Sequence, residues 1–343
     1  MNTRATRNVV EKGIVVVSMF LMVAIVSVVG ISLMAEAADP TQKVLYVASY
    51  DITDPTWGAI ILSGIESVFA SRNNIELKAV SMETMGLSAT EVAQKEQAAL
   101  EAKALIDSWK PALVITSDDD AAKYLIVPHF KDADLPFVFC GVNWDASKYG
   151  FPAKNVTGML EVQLVDQIVA YLTPYAKGTR IGSLRADTMT HRAEADYFKT
   201  HLGVDITTYF VDNIADWKTR FVQLQDEVDL ILLGDIGAVK NREVTSPAEL
   251  EQFMVEQTKV PTGRWDVEYK TDALITIANI PKEQGEYAAQ AALQILDGKS
   301  PADIPLVKNK KAEIYLNMKL AKKLGVKFPI DLVENAELIS GNE

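Results

Sequence analysis

The chain has 343 residues, of which 48% are hydrophobic and 23% are charged, a composition typical of globular proteins and not of disordered ones. This length predicts about two domains of roughly 150 residues, each large enough for its own core. The formal net charge of -12 at pH 7 argues against nucleic acid or anionic lipid as a partner, and the single cysteine excludes an intrachain disulfide.

The first residues are typical of a targeting segment. Basic residues in "MNTRATRNVVEKG" precede an apolar run that continues to Met34, and an A-x-A sequence follows at Ala35-Glu36-Ala37. This order predicts a signal peptide over residues 1–37 that is removed after export. The apolar run is also long enough to span a bilayer as an uncleaved anchor, and the A-x-A sequence favours cleavage over that alternative. Export without disulfides is typical of a bacterial periplasmic protein.

From Lys43 onward, short β-rich runs alternate with amphipathic helical stretches. Strands are predicted at 43–50, 75–82, 112–117 and 135–142, and helices at 56–71, at 88–109 with a capping box at its start, and just before Pro128. A second unit has predicted strands at 179–186, 205–211 and 229–235, and helices at 190–202, 214–226 and 247–258. The alternation predicts an α/β fold of two Rossmann-like lobes with parallel sheets.

The end of the chain adds a helix before Gly298, then a short strand and a short helix. A tail of this kind predicts that one element returns to each lobe. We therefore expect discontinuous lobes, with residues 39–159 plus 279–302 in the first and 160–278 plus 303–343 in the second. The chain is expected to pass between them near 157–162 and 271–280.

Sequence signatures of catalysis and of metal binding are missing. The sequence contains no G-x-S-x-G, G-x-x-x-x-G-K-[ST], G-x-G-x-x-G or H-E-x-x-H motif. The three histidines are scattered, and Cys140 lies in an apolar run. We therefore predict no enzyme activity, no catalytic residue, no bound metal and no cofactor.

One stretch, "LVITSDDDAA" at 113–122, runs from a buried strand directly into three carboxylates. It could be a solvated helix start, a metal site or one wall of a ligand cleft. The spaced oxygens and the central glycine of a calcium loop are missing. Asp119 and Asp120 fit the first turn of a helix with Ser117 as its cap. Ser117 and Asp118 stand at the carboxyl end of a parallel strand, where open α/β sheets bind ligands.

Other predicted strand ends carry aromatic, acidic and polar side chains that the same rule brings to one edge. Together they describe an aromatic and acidic cleft. The candidate ligand-binding residues are Ser49, Tyr50, Trp57, Ser117, Asp118, Asn143, Trp144, Arg185, Asp235, Trp265 and Asp266.

Two parts of the sequence also resemble a known family. The stretch "VITSDDDAAKYL…LPFVFCGVNWDASKYGF…NVTGML" and the ending "GEYAAQAALQILDGKSPADIPL…YLNMKLAKKLGVKFP" resemble the ABC-transporter substrate-binding family that includes tryptophan- and tyrosine-binding proteins. The resemblance covers nearly the whole mature chain. It implies a type I periplasmic binding fold, with two lobes that are joined by three crossovers and close on a ligand. Ser117-Asp118 stands where the family typically has a small residue and a proline, so the identity of the ligand stays open.

We therefore expect a periplasmic, monomeric solute-binding protein that delivers a small polar or aromatic amino acid-like ligand to an ABC permease by hinge closure. The alternative is a ligand-sensing module that acts with a histidine kinase. Ser117 is expected to bind the carboxylate of a zwitterion. Asp235, which the resemblance identifies as a ligand-binding acid, is expected to bind its ammonium. The tryptophans suit an aromatic ring and equally the face of a sugar.

Overall fold

The computed structural model describes residues 40–53, 55–84 and 91–340. The predicted signal peptide at 1–37 and the start of the predicted capping box at 88–90 lie outside the described residues. Within the described ranges, none of the helices combines the length and the apolar character that crossing a bilayer requires.

In the described part of the chain, six strands form a first sheet in the order β11-β5-β4-β3-β1-β2. Their bounds are Gln42–Ala48 for β1, Ile75–Ser81 for β2, Leu113–Ser117 for β3, Phe137–Asn143 for β4, Val156–Glu161 for β5 and Val307–Lys308 for β11. The pairs β1–β3, β3–β4, β4–β5 and β5–β11 are parallel. The carboxyl ends of these strands therefore meet at one edge of the sheet.

Seven further strands of the described chain form a second sheet in the order β13-β12-β10-β9-β8-β6-β7. They span Ile181–Ala186 (β6), Ile206–Val211 (β7), Leu230–Leu233 (β8), Thr262–Arg264 (β9), Ile275–Asn279 (β10), Ala312–Asn317 (β12) and Glu337–Ile339 (β13). Neighbours pair in parallel except β10 and β12, which are antiparallel. The two α/β units with parallel sheets confirm the predicted fold class.

The described helices cover these sheets. They are α1 at Trp57–Phe69, α2 at Val92–Trp109, α3 at Val165–Leu172, α4 at Met189–Leu202, α5 at Ile214–Leu224, α6 at Pro247–Gln257, α7 at Pro281–Leu296, α8 at Met318–Leu324 and α9 at Ile330–Glu334. After β3 the chain forms three consecutive helical stretches: an α-turn at Asp118–Asp120, a π-helical stretch at Ala121–Ile126 and an α-turn at Val127–His129.

Several helices begin where the sequence supplies a capping side chain. Thr56 accepts the N–H of the third residue of α1, and Thr188 and Asn213 do the same for α4 and α5. α6 begins with a complete capping box between Ser246 and Glu249. Such side chains satisfy amide groups that lack a partner at a helix start, which fixes where each helix begins.

The chain passes between the two sheets three times. It leaves the first sheet after Glu161, returns to it between β10 and α7, and leaves it again between β11 and β12. The last passage corrects an expected boundary: Val307–Lys308 pairs with β5, so the segment from 303 to 308 does not belong with the second lobe. Lys43–Glu343 forms one compact unit.

Helix α7, although it follows the second sheet in sequence, packs on the layer of the first sheet. It contacts α1, β4 and β5. A Cβ added at Gly285 would lie 2.0 Å from the Ile61 carbonyl oxygen, so only glycine permits this approach of α7 to α1. The Gln284 side chain accepts the Gly141 N–H at 3.0 Å, which ties α7 to the end of β4. The carboxyl-end edge of the first sheet is thus held by a late segment of the chain.

Candidate ligand-binding site

The acidic triplet lies at the carboxyl end of β3, and two of its carboxylates are bonded within the protein. Asp119 accepts hydrogen bonds from the Tyr149 hydroxyl at 2.6 Å and from the Asn143 side-chain amide at 2.8 Å. Asp120 forms an ion pair with Lys95, with 2.9 Å between Oδ2 and Nζ. These two acids stabilise the local structure, and Asn143 does so too through its hydrogen bond to Asp119.

Asp118 differs from its two neighbours because one of its carboxylate oxygens has no hydrogen-bond partner among the described residues. The residue is 5% exposed, and Oδ2 has no hydrogen-bond partner among the described residues. Its φ is +69°, and a Cβ added at Gly141 would come within 2.9 Å of Asp118 Oδ1. Burial, together with the charge of Asp119, raises the pKa of Asp118 to about 7, and the side chains of Ser117 and Trp57 offset part of this rise. A buried polar atom without a partner costs free energy and calls for an explanation.

The two serines of this edge, Ser49 and Ser117, are fully buried. The hydroxyls of Ser117 and Tyr46 lie 2.9 Å apart. Ser49 Oγ donates to the Ser117 carbonyl at 2.7 Å and accepts the Ala121 N–H at 2.8 Å. The prediction that the Ser117 side chain caps the following helix is wrong, since it accepts no capping hydrogen bond there. Both serines join β1, β3 and the helical segment to one another.

A cavity of about 270 Å³ is lined by residues of both sheets. Trp57 begins α1 and Glu161 ends β5 on the side of the first sheet, and the residues after β9 face them from the second sheet. Its lining consists of Trp57, Glu161, Gln163, Trp265, Asp266, Val267, Glu268, Ala278 and Asn279. Among the described residues, cavities of about 420, 340 and 320 Å³ are larger, but each is lined from one half of the chain. We take the shared cavity as the candidate site because strand ends of both sheets meet there.

The lining of this cavity is acidic. Its lining contains the carboxylates of Glu161, Asp266 and Glu268 and, among the described residues, no lysine, arginine or histidine. Burial, with the nearby charge of Asp118, raises the pKa of Glu161 to about 8. Burial also raises the pKa of Asp266 to about 6, against the opposing effect of Arg264, whose Nη2 lies 3.8 Å from Asp266 Oδ2. The surroundings of this cavity therefore disfavour the charged form of its acids.

Arg185 supports the cavity from behind one of its aromatic walls. It is 1% exposed, forms an ion pair with Glu194 and donates from Nε to Ser183 Oγ at 2.8 Å. Its guanidinium lies 5.1 Å from the centre of the Trp265 ring and 4.6 Å from that of Phe198. Arg185 is therefore a positioning residue for Trp265 and is not itself part of the lining.

Trp144 bridges the two halves of the chain beside the cavity. Its indole N–H donates to the Gln163 side chain at 2.6 Å, and its ring stacks on Tyr197 of α4 with 6.2 Å between ring centres. Tyr50 is half-buried near the acidic triplet, where burial and the charge of Asp118 raise its pKa. Neither Trp144 nor Tyr50 belongs to the lining, although both lie next to residues that do.

Asp235, the expected ammonium ligand, lies outside the lining as the described residues define it. Its Oδ1 accepts the Gly237 N–H at 2.7 Å, and its Oδ2 lies 4.0 Å from His191 Nε2. Of the eleven predicted residues, the lining contains Trp57, Trp265 and Asp266. The structure therefore brings together the aromatic and acidic part of the predicted cleft but not the pair formed by Ser117 and Asp235.

Residues that the sequence reasoning missed come mainly from the passages between the sheets. Glu161 and Asn279 end β5 and β10, and Gln163 lies two residues after Glu161. Asn279 Nδ2 donates to Glu161 Oε1 at 3.4 Å. The signal was present, because both residues stand at strand carboxyl ends, but these segments had been interpreted only as connections. Among the described residues, no group of three or more His, Cys, Asp or Glu is arranged to hold a metal ion.

Comparisons with known proteins bear on the fold and the family of this chain. Among solved structures, an ABC domain in complex with L-Trp from Streptococcus pneumonia is similar with a TM-score of 0.56 and 18% identity, over 87% of this chain and 100% of that one. A ligand-free, open substrate binding protein with adhesive properties from Clostridium difficile has a TM-score of 0.67 and 16% identity, over 88% of this chain and 100% of that one. A periplasmic ribose ABC transporter protein from Conexibacter woesei has a TM-score of 0.51 and 13% identity, over 84% and 96%.

These structural likenesses establish the fold, which is that of the type I periplasmic binding proteins. No curated protein matches the sequence. The sequence profile described as "ABC transporter substrate binding protein" matches residues 63–339, most of the chain. Proteins of this family are extracytoplasmic solute-binding proteins, not enzymes, and they act with a membrane permease. The chain belongs to the ABC transporter substrate binding protein family.

Proposed function

We propose that this protein captures a small, amino acid-like organic solute in the cavity between its two sheets and delivers it to the permease of an ABC transporter. The observation that carries the proposal is the lining itself. Trp57 and Trp265 offer apolar rings, and Glu161 and Asp266 offer carboxylates, from both sheets. Pockets of this kind, apolar walls with a few placed polar groups, are typical of small-molecule sites.

The three passages between the sheets support a hinge mechanism. We propose two lobes, residues 39–159 with 279–308 and residues 160–278 with 309–343, that close on the solute as a monomer. Binding energy then shifts the equilibrium between open and closed forms, and the closed form is the one the permease receives. Signal-peptide cleavage after residue 37 and release into the periplasm belong to the same proposal.

Native mass spectrometry of the freshly purified protein tests this function directly. We expect a bound small organic molecule, released on denaturation and identified by its mass. Titration of the emptied protein with that molecule should give a saturable binding isotherm at one site per chain. An empty protein that binds no member of a broad panel of amino acids, amines and sugars would contradict the proposal.

A further inference from the structure

The cavity between the sheets is lined by carboxyl groups and, among the described residues, by no basic group that could balance them. Glu161 hydrogen-bonds to Asn279, and no described lysine, arginine or histidine nitrogen comes within 4.0 Å of its carboxylate. Asp266 has one arginine nitrogen at 3.8 Å, beyond hydrogen-bond distance, and its Oδ2 is buried without a hydrogen-bond partner. Glu268 is exposed at the rim of the same cavity. Carboxylates from both sheets thus face a common space.

Asp118 is the second and independent observation. It interacts with Trp57, which lines the cavity, and its charge acts on Glu161, which lines it too. The side chain is more than nine-tenths buried, and Oδ2 lacks a hydrogen-bond partner among the described residues. Its neighbours Asp119 and Asp120 both have partners within the protein, a hydrogen bond and an ion pair. An oxygen without a partner is therefore specific to Asp118 within the triplet. A carboxyl group in this position is either protonated or balanced by a cation.

We propose that the solute is an organic cation, with an ammonium group held by Glu161 and Asp266 and no carboxylate to balance it, and with an apolar body against Trp57 and Trp265. This inference rests on the proposed capture of a solute, and it replaces the amino acid-like class by amines that lack the carboxylate. Asp118 contributes through its charge beside Trp57. An ammonium supplies both the hydrogen-bond donors and the positive charge that the cavity lacks, and an indole face attracts cations as well.

The two arginines near the cavity do not line it. Arg185 and Arg264 are each 1% exposed and lie outside the lining. Arg185 is paired with Glu194, and Arg264 donates to the Gly234 carbonyl at 3.1 Å and pairs with Asp272. One further nitrogen of each, Arg185 Nη2 and Arg264 Nε, is buried without a hydrogen-bond partner among the described residues. A zwitterion would therefore bring a second negative charge against acids that already repel one another.

Cation binding predicts a proton signature that a neutral ligand would not give. The pKa values of Asp118 and Glu161 are raised in the empty protein, so both are partly protonated near pH 7. An ammonium placed beside them lowers those pKa values, and the protons leave on binding. Binding of a cation at pH 7 should therefore release protons to the buffer, whereas a sugar should release none.

Three probes with the same ring test the charge preference: tryptamine, L-tryptophan and indole-3-propionate. Calorimetry of the full chain at pH 7, in two buffers of different ionisation enthalpy, measures affinity and proton release together. We expect tryptamine to bind at least about tenfold more tightly than L-tryptophan and to release protons, and indole-3-propionate to bind most weakly. Putrescine, a cation without a ring, should also bind more tightly than L-tryptophan if charge outweighs ring stacking.

Glu161→Gln and Asp266→Asn remove one charge each while nearly preserving shape. Each should weaken the binding of tryptamine by at least about tenfold and leave the thermal unfolding transition of the protein unchanged. Glu76→Gln, at an exposed position of β2, removes the same charge far from the lining and should leave affinity unchanged. Equal loss in all three variants would mean that only overall charge matters, and it would overturn the assignment.

The outcomes separate this inference from the proposed function. If L-tryptophan or a sugar binds more tightly than every cation, or if the co-purified solute carries no net positive charge, the inference is wrong and solute capture stands. If nothing co-purifies and neither these probes nor the broader panel bind, solute capture fails and the inference fails with it.

Discussion

Asn309 Nδ2 donates a hydrogen bond to Asn279 Oδ1 at 3.0 Å, where the chain passes between the two sheets. The same Asn309 side chain accepts the Val162 N–H at 2.7 Å and donates to the Val162 carbonyl at 3.1 Å. Val162, Asn279 and Asn309 lie on the three different passages. One buried side chain therefore joins all three, and through the contact of Asn279 with Glu161 it reaches the cavity wall.

Replacement of Asn309 by alanine should destabilise the protein. Asn309 is 2% exposed, so the substitution leaves the Val162 N–H buried without an acceptor. An unsatisfied buried donor costs about 1–3 kcal/mol, and the free energy of unfolding measured in urea should fall by that amount. Asn335→Ala is the matched control, because the Asn335 amide also bonds to a backbone carbonyl but at an exposed position. A similar loss in both variants would contradict a special role for Asn309.

Hydrophobic periodicity accounts for most of the fold that could be predicted. Runs such as 113–117 and 137–143 are almost entirely buried, and α5 begins at Ile214, where the predicted helix begins. Two short strands in the middle of the second sheet were not predicted, β9 at Thr262–Arg264 and β10 at Ile275–Asn279. A run of three to five residues is too short to show a clear hydrophobic periodicity. The pairing of Val307–Lys308 with β5 is a long-range contact that no local pattern encodes.

For the candidate site, the strand-end rule located the region but not the individual side chains. Ser117 and Ser49 stand at strand ends as predicted, yet their hydroxyls are bonded inward to Tyr46 and to backbone. The sequence cannot reveal that direction, since it depends on a residue 71 positions away. Glu161 had the right position and was overlooked because its segment was interpreted as a connection.

The empty protein should be more stable at pH 5 than at pH 8. The pKa values of Asp118, Glu161 and Asp266 are raised above those of ordinary carboxyls, to about 7, 8 and 6. Between about pH 4 and these values, the folded protein holds protons that the unfolded chain has lost, so the free energy of unfolding falls as pH rises through this range. Urea unfolding of ligand-free protein at the two pH values measures the difference.

Asp118→Asn supplies the control for this pH dependence. Asparagine tolerates the positive φ of this position and carries no charge to desolvate. The variant should lose less stability than the wild type between pH 5 and pH 8, although the neighbouring Asp119, Asp120, Tyr50 and Glu161 remain. An unchanged pH profile would show that the Asp118 carboxyl titrates normally.

Gly141 is required for both its backbone conformation and its lack of a side chain. Its φ is +67°, and an added Cβ would lie 2.9 Å from Asp118 Oδ1. Gly203 has a similar φ of +65° but nothing within 4 Å of an added Cβ. Gly203→Ala should thus cost only the backbone strain, about 1–2 kcal/mol, and Gly141→Ala clearly more. Equal losses of unfolding free energy would mean that the Asp118 side chain moves aside without cost.

Asp266 and Asp235 offer two alternative anchors for an ammonium, and substitution of each to asparagine distinguishes them. Asp266 lines the cavity, and its Oδ2 is buried without a hydrogen-bond partner. Asp235 lies outside the lining, with Oδ1 bonded to the Gly237 N–H and Oδ2 directed towards His191. With tryptamine as the probe, Asp266→Asn should weaken binding by at least about tenfold, or about 1.4 kcal/mol, and Asp235→Asn by less than about threefold. Calorimetry on both variants, with circular dichroism to check folding, measures the two losses. If Asp235→Asn instead weakens binding by about 30-fold, near 2 kcal/mol, closure brings Asp235 onto the ammonium as the family resemblance implied, and the cavity described here is only part of the site.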